Sequence, residues 1–445
     1  MRPVIALVVG ALAVACTSPS SSSPSAAAPT QSTIEQPVLP KDIPVAPDDQ
    51  RVDLQVPTFS DPTTVDNPLF PVSQQASVVF VGHVDGKPFR TEVTLLPYTR
   101  PVDWNGQQVE CLVSQYTAYL DGRLQEVAYD LYAQADDGSV WYFGEDVVDL
   151  AHGDVVTKEG TWLAGKDGPA EMIMPGDPHA GDVFRTENIP GIAFEQVTVK
   201  QTDKTLDGPF GPIPGGMVGQ ELHMDGATED KLFAPGYGEF FTSDGHDIEA
   251  LALAAPTDAS SAPLPAALAT MQTDADTLID AAASGDWNTA DASVAELQHA
   301  HAALTEDEVP VLIRPWLDHA VRSVVSAVHA RDAVAARQGA IDAQQRILDI
   351  ELRYRPPVEI NLDRFDLWAA QLQADAANHD AEAVNGDVFS LFYIRDRIID
   401  SLTPEQVTAV NTQVGHLQVA APDGELARAT KAAGALRDAI ATIVG

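Results

Sequence analysis

The chain has little cysteine, little positive charge and no long apolar run beyond its first residues. Two cysteines among 445 residues, Cys16 and Cys111, cannot build a disulfide framework. Cys111 lies in the strand-like run VECLVSQYTAYL, where a free thiol packs as a small buried hydrophobe. Lysine and arginine number 26 against 65 aspartates and glutamates, a formal net charge of -39. Such a surface cannot neutralise phosphates, so nucleic acid is excluded as a partner. Electrostatic docking on anionic lipid is excluded for the same reason. After Cys16 no apolar stretch approaches the roughly 20 residues that span a bilayer. Catalytic signatures are missing as well: there is no G-x-S-x-G, H-E-x-x-H, C-x-x-C or G-x-G-x-x-G. The run GTWLAGK at 160–166 has the spacing of a phosphate loop. Asp167, however, stands where a Ser or Thr would hold Mg²⁺, and an acid there repels phosphate.

What is present begins at the N-terminus. Arg2, the apolar run VIALVVGALAVA and its small final residues make residues 1–15 a secretory signal peptide. Ala13-Val14-Ala15-Cys16 resembles the lipobox of bacterial lipoproteins, with Ala13 in place of the usual leucine and Leu12 one position earlier. The resemblance implies that Cys16 is lipidated and becomes the first residue of the mature chain. That would place the protein on the extracytoplasmic face of a bacterial cell membrane, partnered with it through the lipid anchor. Residues 16–70, rich in Pro, Ser, Thr and Asp after the cysteine, read as a disordered tether.

Residues 75–254 read as β. Asp85-Gly86, Asp121-Gly122, Asp137-Gly138 and Asp225-Gly226 separate strand-like runs, and Asp-Gly suits the tight hairpin turn because both central positions need positive φ. Successive hairpins imply an antiparallel meander that must curl, close or be covered to bury a face. A curved sheet or incomplete β-barrel is expected, with a β-sandwich as the alternative. Residues 165–192, dense in turn formers, read as a long loop. From 263 to 445 the pattern is helical and alanine-rich, so the fold class is α+β: a curved antiparallel sheet followed by an up-down α-helical bundle. Breaks are expected at Gly285-Asp286, with Asp286 as N-cap, and at Pro356-Pro357, with a new helix opening at Asn361. A further break is expected at Gly386-Asp387. The likeness of the 285–287 and 385–388 segments suggests a duplicated helical hairpin.

The strongest polar cluster is ELHMD at 221–225. Alternate residues of a strand share a face, so Glu221, His223 and Asp225 point one way, and Glu229 and Asp230 could approach from the next strand. Imidazole with carboxylates suits a divalent metal or general-base chemistry, and equally a solvated strand face. Glu145 and Asp146 form a second acidic tip after the WYF triplet. Asp375, His379 and Glu382 fall on one face if a single helix runs through them. Arg395, Asp396 and Arg397 read as surface or inter-helix ion pairs.

Residues 140–254, with WYFGED, WLAGKDG, MIMPGDP and APGYGEF, resemble a β-rich segment that recurs in exported bacterial proteins of unassigned activity. The resemblance implies an extracytoplasmic β domain and no particular chemistry. The expected function is non-catalytic: a surface binding or scaffold protein that holds a small ligand or divalent cation, or meets a basic envelope protein. The alternatives are an envelope hydrolase with a His/carboxylate site, or a lipid-carrying half-barrel.

Overall fold

The structure, a computed structural model, describes residues 43–444; Cys16, and with it the signal and lipidation region, lies outside the described residues. Six strands follow the chain in a meander: β1 (Ser77–Val84), β2 (Lys87–Trp104), β3 (Gln107–Leu120), β4 (Arg123–Gln134), β5 (Val140–Ala151) and β6 (Asp154–Thr157). Two short strands, β7 (Trp162–Leu163) and β8 (Glu171–Met174), pair with β5. A second meander runs β9 (Val183–Ile189), β10 (Ala193–Gly208), β11 (Gly211–His223), β12 (Thr228–Ala234), β13 (Gly238–Ser243) and β14 (Ile248–Ala255). Pairing of β1 with β14 joins the meanders into one 14-stranded antiparallel sheet, curved and unclosed.

Turn chemistry sets this topology locally. Asp85-Gly86, Asn105-Gly106 and Asp121-Gly122 take positive φ at both positions and close the first three hairpins. The expected loop at 165–192 is not one: it contributes β8 and β9, and its turn formers lie before β8 and between the two strands. The last part of the expected tether, residues 43–70, lies along the sheet with the residues that follow it. Val65 is fully buried there, Arg51 bridges to Val183, and the Asn67 side chain donates to the carbonyls of Gly138 and Pro175.

Eight helices follow: α1 (Ala266–Ser284), α2 (Trp287–Ala303), α3 (Arg314–Ala330), α4 (Ala333–Glu351), α5 (Pro357–Ala377), α6 (Ala381–Ile398), α7 (Pro404–Ala420) and α8 (Leu426–Val444). They form two up-down four-helix units, α1–α4 and α5–α8, in contact through α4 and α5. Asp286 caps α2 as expected, accepting from the Thr289 amide, and Gly285 before it is left-handed. Two expected boundaries move. Pro357 occupies the first turn of α5, where its missing N–H costs nothing, so the helix opens there rather than at Asn361. Gly386-Asp387 lies inside α6; the real break is His379-Asp380, with left-handed His379 and Asp380 as N-cap. The suspected 285–287 and 385–388 duplication is therefore not present, and a different turn recurs. A left-handed residue followed by a capping Asp turns the chain at Gly285-Asp286, Arg331-Asp332 and His379-Asp380, roughly 45–48 residues apart.

The convex face of the sheet packs on the helices. Val79 and Val81 join a core with α1–α5, and Tyr119, Leu124, Val127 and Leu150 join one with α5–α8. Between these cores lies a buried ionic network. Glu92 of β2 meets Arg90, Arg364 of α5 and Arg397 of α6, while Asp349 of α4 meets Arg90, Arg346 and Arg364. Arg397 thus reaches the sheet instead of forming a surface pair, and also donates to Gln115 Oε1 at 2.6 Å and Thr117 Oγ1 at 2.8 Å. Buried ion pairs come close to break-even against desolvation, whereas each buried large apolar side chain contributes about 1.5–3 kcal/mol. The apolar contacts therefore hold the two parts together, and the network fixes how they face one another.

Candidate functional site: an acidic cavity on the concave face

The concave face encloses a cavity of about 360 Å³, inside the roughly 300–1,000 Å³ range of small-molecule sites. Its floor is apolar and aromatic, from Val78 and Phe80 of β1, Val93 of β2 and Tyr116 of β3. One wall is Glu126, Asp130 and Tyr132 of β4 with Tyr142 and Glu145 of β5. The facing wall carries Glu187, Glu195, Glu221, Glu229, Glu239 and Glu249, from β9 to β14. Phe70, Val72 and Gln75 of the N-terminal segment close one end beside Tyr237; Asp225, Asp244 and Asp247, on turns, stand at the other. The pleat explains the sorting. Glu126, Ala128, Asp130 and Tyr132 alternate along β4 and face the cavity, while Val127 between them packs against the helices.

Among the described residues, Lys231 and His223 alone bring side-chain cations to this lining. Lys231 Nζ lies 2.7 Å from Glu221 Oε2 and 3.6 Å from Glu229 Oε1. His223 Nδ1 is 3.1 Å from Glu195 Oε1 and its Nε2 3.6 Å from Glu229 Oε1. The Thr186 hydroxyl links Glu221 and Glu195 at 3.1 and 3.3 Å. Burial works against charge on His223, but its bonds to Glu195 and Glu229 outweigh that and push its pKa up to about 11. Burial also opposes charge on Lys231, and Glu221 more than restores it. Burial would raise Glu221; Lys231 and His223 hold it below the ordinary carboxyl range.

The remaining acids have no such relief. Glu126 is 5% exposed. Burial and then repulsion from Asp149, Asp130 and Glu249 push it up to about 8, and no hydrogen-bond donor or cation among the described residues reaches its carboxyl. Asp130 accepts from the Tyr142 hydroxyl at 2.8 Å, yet burial lifts it to about 7. Glu249 accepts from Thr91 and is lifted by burial to about 7. Glu145 and Glu187 lie beside one another across the walls; burial raises both far above the usual range, helped by repulsion from Glu187 on Glu145 and from Glu195 on Glu187. Trp162 Nε1 donates to Glu187 Oε1 at 2.8 Å.

The structure thus brings together Glu221, His223 and Glu229 and adds Glu195 and Lys231, which the sequence pattern did not single out. Two expected members do not join this cluster: Asp225 stands at the end of the cavity and Asp230 outside it. Asp225 accepts the Ala227 amide at 2.8 Å within its turn, and Asp230 is exposed because the β12 pleat turns it away from the inward Glu229 and Lys231. Glu145 is not a tip but a buried mid-strand residue, while Asp146 faces outward to Arg100. Asp375, His379 and Glu382 do not share a helix: α5 ends before His379, and Asp375 is bound by Arg123. Glu195, Glu221 and His223 offer ligand atoms within 4.8 Å of one another, the single such group found among the described residues. A metal there would have to displace the Lys231 ammonium and the His223 proton.

Comparison with protein-family models, curated proteins and solved structures gives no match.

Proposed function

We propose that the chain is a lipid-anchored binding protein of the bacterial cell envelope whose curved sheet holds a cationic small molecule in the acidic cavity. The anchor rests on Cys16 and its lipobox-like approach. The ligand class rests on one observation above all: Glu126, buried and without a partner, lies in a wall of carboxyls opposite a second wall of carboxyls. A buried carboxylate needs a cation, and this cavity has fewer cations than acids. Tyr116, Tyr132 and Tyr142 add aromatic faces suited to ammonium groups.

A hydrolase is the second reading, because His223 and buried acids do share the pocket. An imidazolium held between Glu195 and Glu229 has no lone pair with which to take a proton, which favours binding over catalysis. A lipid carrier fits the half-open shape but would bury acyl chain against carboxyls.

A thermal-shift panel on the full chain at pH 8 tests the reading. Organic cations should raise Tm, since a ligand at 100 times its Kd stabilises by about 2.7 kcal/mol. Neutral sugars and carboxylates should not. Stabilisation by anions alone, or turnover of ester, glycoside or peptide substrates, would overturn it.

A further inference from the structure

We infer that the ligand is a linear polyamine: two or more ammonium groups joined by methylene chains. The inference rests on the cation-binding reading above and narrows it through the placement of the acids. They are not gathered at one point. Glu126, Asp130 and Glu145 stand on β4 and β5; Glu187, Glu195, Glu239 and Glu249 stand on the strands of the other meander. Between β4 and β14 lie β3, β2 and β1, whose contributions to the floor are Ser114, Tyr116, Val93, Val78 and Phe80, with no acid among them. Adjacent strands are about 4.8 Å apart, so along the curved sheet Glu126 and Asp130 are several strand spacings from Glu221 and Glu229, although across the cavity the walls meet where Glu145 lies beside Glu187. A compact monocation at one position would leave the carboxyls farther along both walls unpaired. A chain with ammonium groups at separated positions satisfies both, and its methylenes lie on the apolar floor.

Two further features point the same way. Glu126, nineteen-twentieths buried and facing the cavity, has no partner of its own. Lys231 shows the accepted chemistry in the wall itself: a primary ammonium on a four-carbon methylene stem, held by Glu221 and Glu229. Filling the site would also displace protons, because the unpaired acids are held protonated near neutrality by burial and by one another.

The test is isothermal titration of the full chain in mild detergent at pH 8 with spermidine, putrescine, butylamine and tetramethylammonium, repeated in buffers of different ionisation enthalpy. The expected result is tightening with each added ammonium group, with butylamine at least 100-fold weaker than spermidine, and proton release on binding. Glu126→Gln and Glu249→Gln, which conserve shape, should each weaken spermidine at least tenfold while the protein remains folded by circular dichroism. If butylamine or tetramethylammonium binds as tightly as spermidine, the polyamine inference fails and the cation reading stands. If none of the four binds, or if neither variant changes spermidine binding, both fail at this cavity.

Discussion

The Lys231 ammonium lies 2.7 Å from Glu221 Oε2, in a wall whose other charged groups are nearly all carboxyls. Removing one partner of a buried pair costs more than the pair contributes, because the other charge is left behind. Lys231→Ala should therefore destabilise the protein by about 3 kcal/mol, read by urea denaturation at pH 7. The vacated volume is amine-shaped and still faces Glu221 and Glu229. Millimolar butylamine should stabilise this variant more than the parent; equal effects in both would show that Lys231 holds no amine site.

Glu126 gives a pH signature. Its folded pKa, about 8, is raised above the ordinary carboxyl value of 4.5, so the folded state binds the extra proton. Its contribution is fully present below about pH 4.5 and is lost as pH rises through about 8. The loss is at most about 1.4 kcal/mol per pH unit. Glu126→Gln removes this dependence. The variant should match the parent near pH 5 and exceed it in Tm at pH 8.5, and parallel Tm–pH curves would rule out a buried titrating Glu126.

Much of the fold was legible because its signals are local. Asp85-Gly86 and Asp121-Gly122 dictate positive φ wherever they occur, and Gly285-Asp286 announces a helix end and a cap. The cavity was not legible, for a reason built into β structure. Period-two acids such as Glu126 and Asp130 look the same whether their face meets water or the inside of a curved sheet. Only the helices covering the convex face decide between these. Glu221 and His223 stood out because imidazole and carboxylate are adjacent on one strand face; their partners Glu195 and Lys231 come from β10 and β12 and leave no trace in sequence spacing. Gly386 misled for a similar reason. It reads as a helix breaker, but it sits in α6 where the Gly153 turn of the sheet comes within van der Waals contact.

That contact can be tested directly. Gly153 has φ +75°, and a Cβ built there would lie 2.0 Å from the Glu382 carbonyl oxygen. Gly153→Ala combines left-handed strain with a backbone collision, so α6 must shift from the β5–β6 turn. A loss of about 2 kcal/mol is expected, with faster amide exchange in both elements. An unchanged Tm would mean that this turn is not docked on α6.

The network around Glu92 predicts coupled unfolding. Arg397 binds Glu92, Gln115 and Thr117 from α6, all within buried surroundings. Arg397→Met removes the donor from Gln115 and Thr117 and leaves Glu92 with Arg90 and Arg364 alone, at a loss of about 3 kcal/mol. The parent should melt in one calorimetric transition. The variant should melt earlier and split, with amide exchange in the helices and in the strands separating. A single undivided transition in the variant would place the coupling in the apolar contacts alone.

His223 decides between a bound proton and a bound metal. Its pKa of about 11 arises because hydrogen bonds to Glu195 and Glu229 exceed the burial that would lower it. The stabilisation this gives is fully present below the unfolded imidazole value of 6.5 and is lost only as pH rises through about 11. Nuclear magnetic resonance of the imidazole should therefore show no titration of His223 between pH 5 and 9. Glu195→Gln, which removes the carboxylate on Nδ1, should bring the midpoint down into that window. A histidine that keeps its proton cannot ligate zinc through the same nitrogens, so chelator should leave the Tm of the parent unchanged and added zinc should not raise it. A His223 midpoint near 6.5 in the parent, together with stabilisation by zinc, would instead make Glu195, Glu221 and His223 a metal site and leave Lys231 as the group the metal displaces.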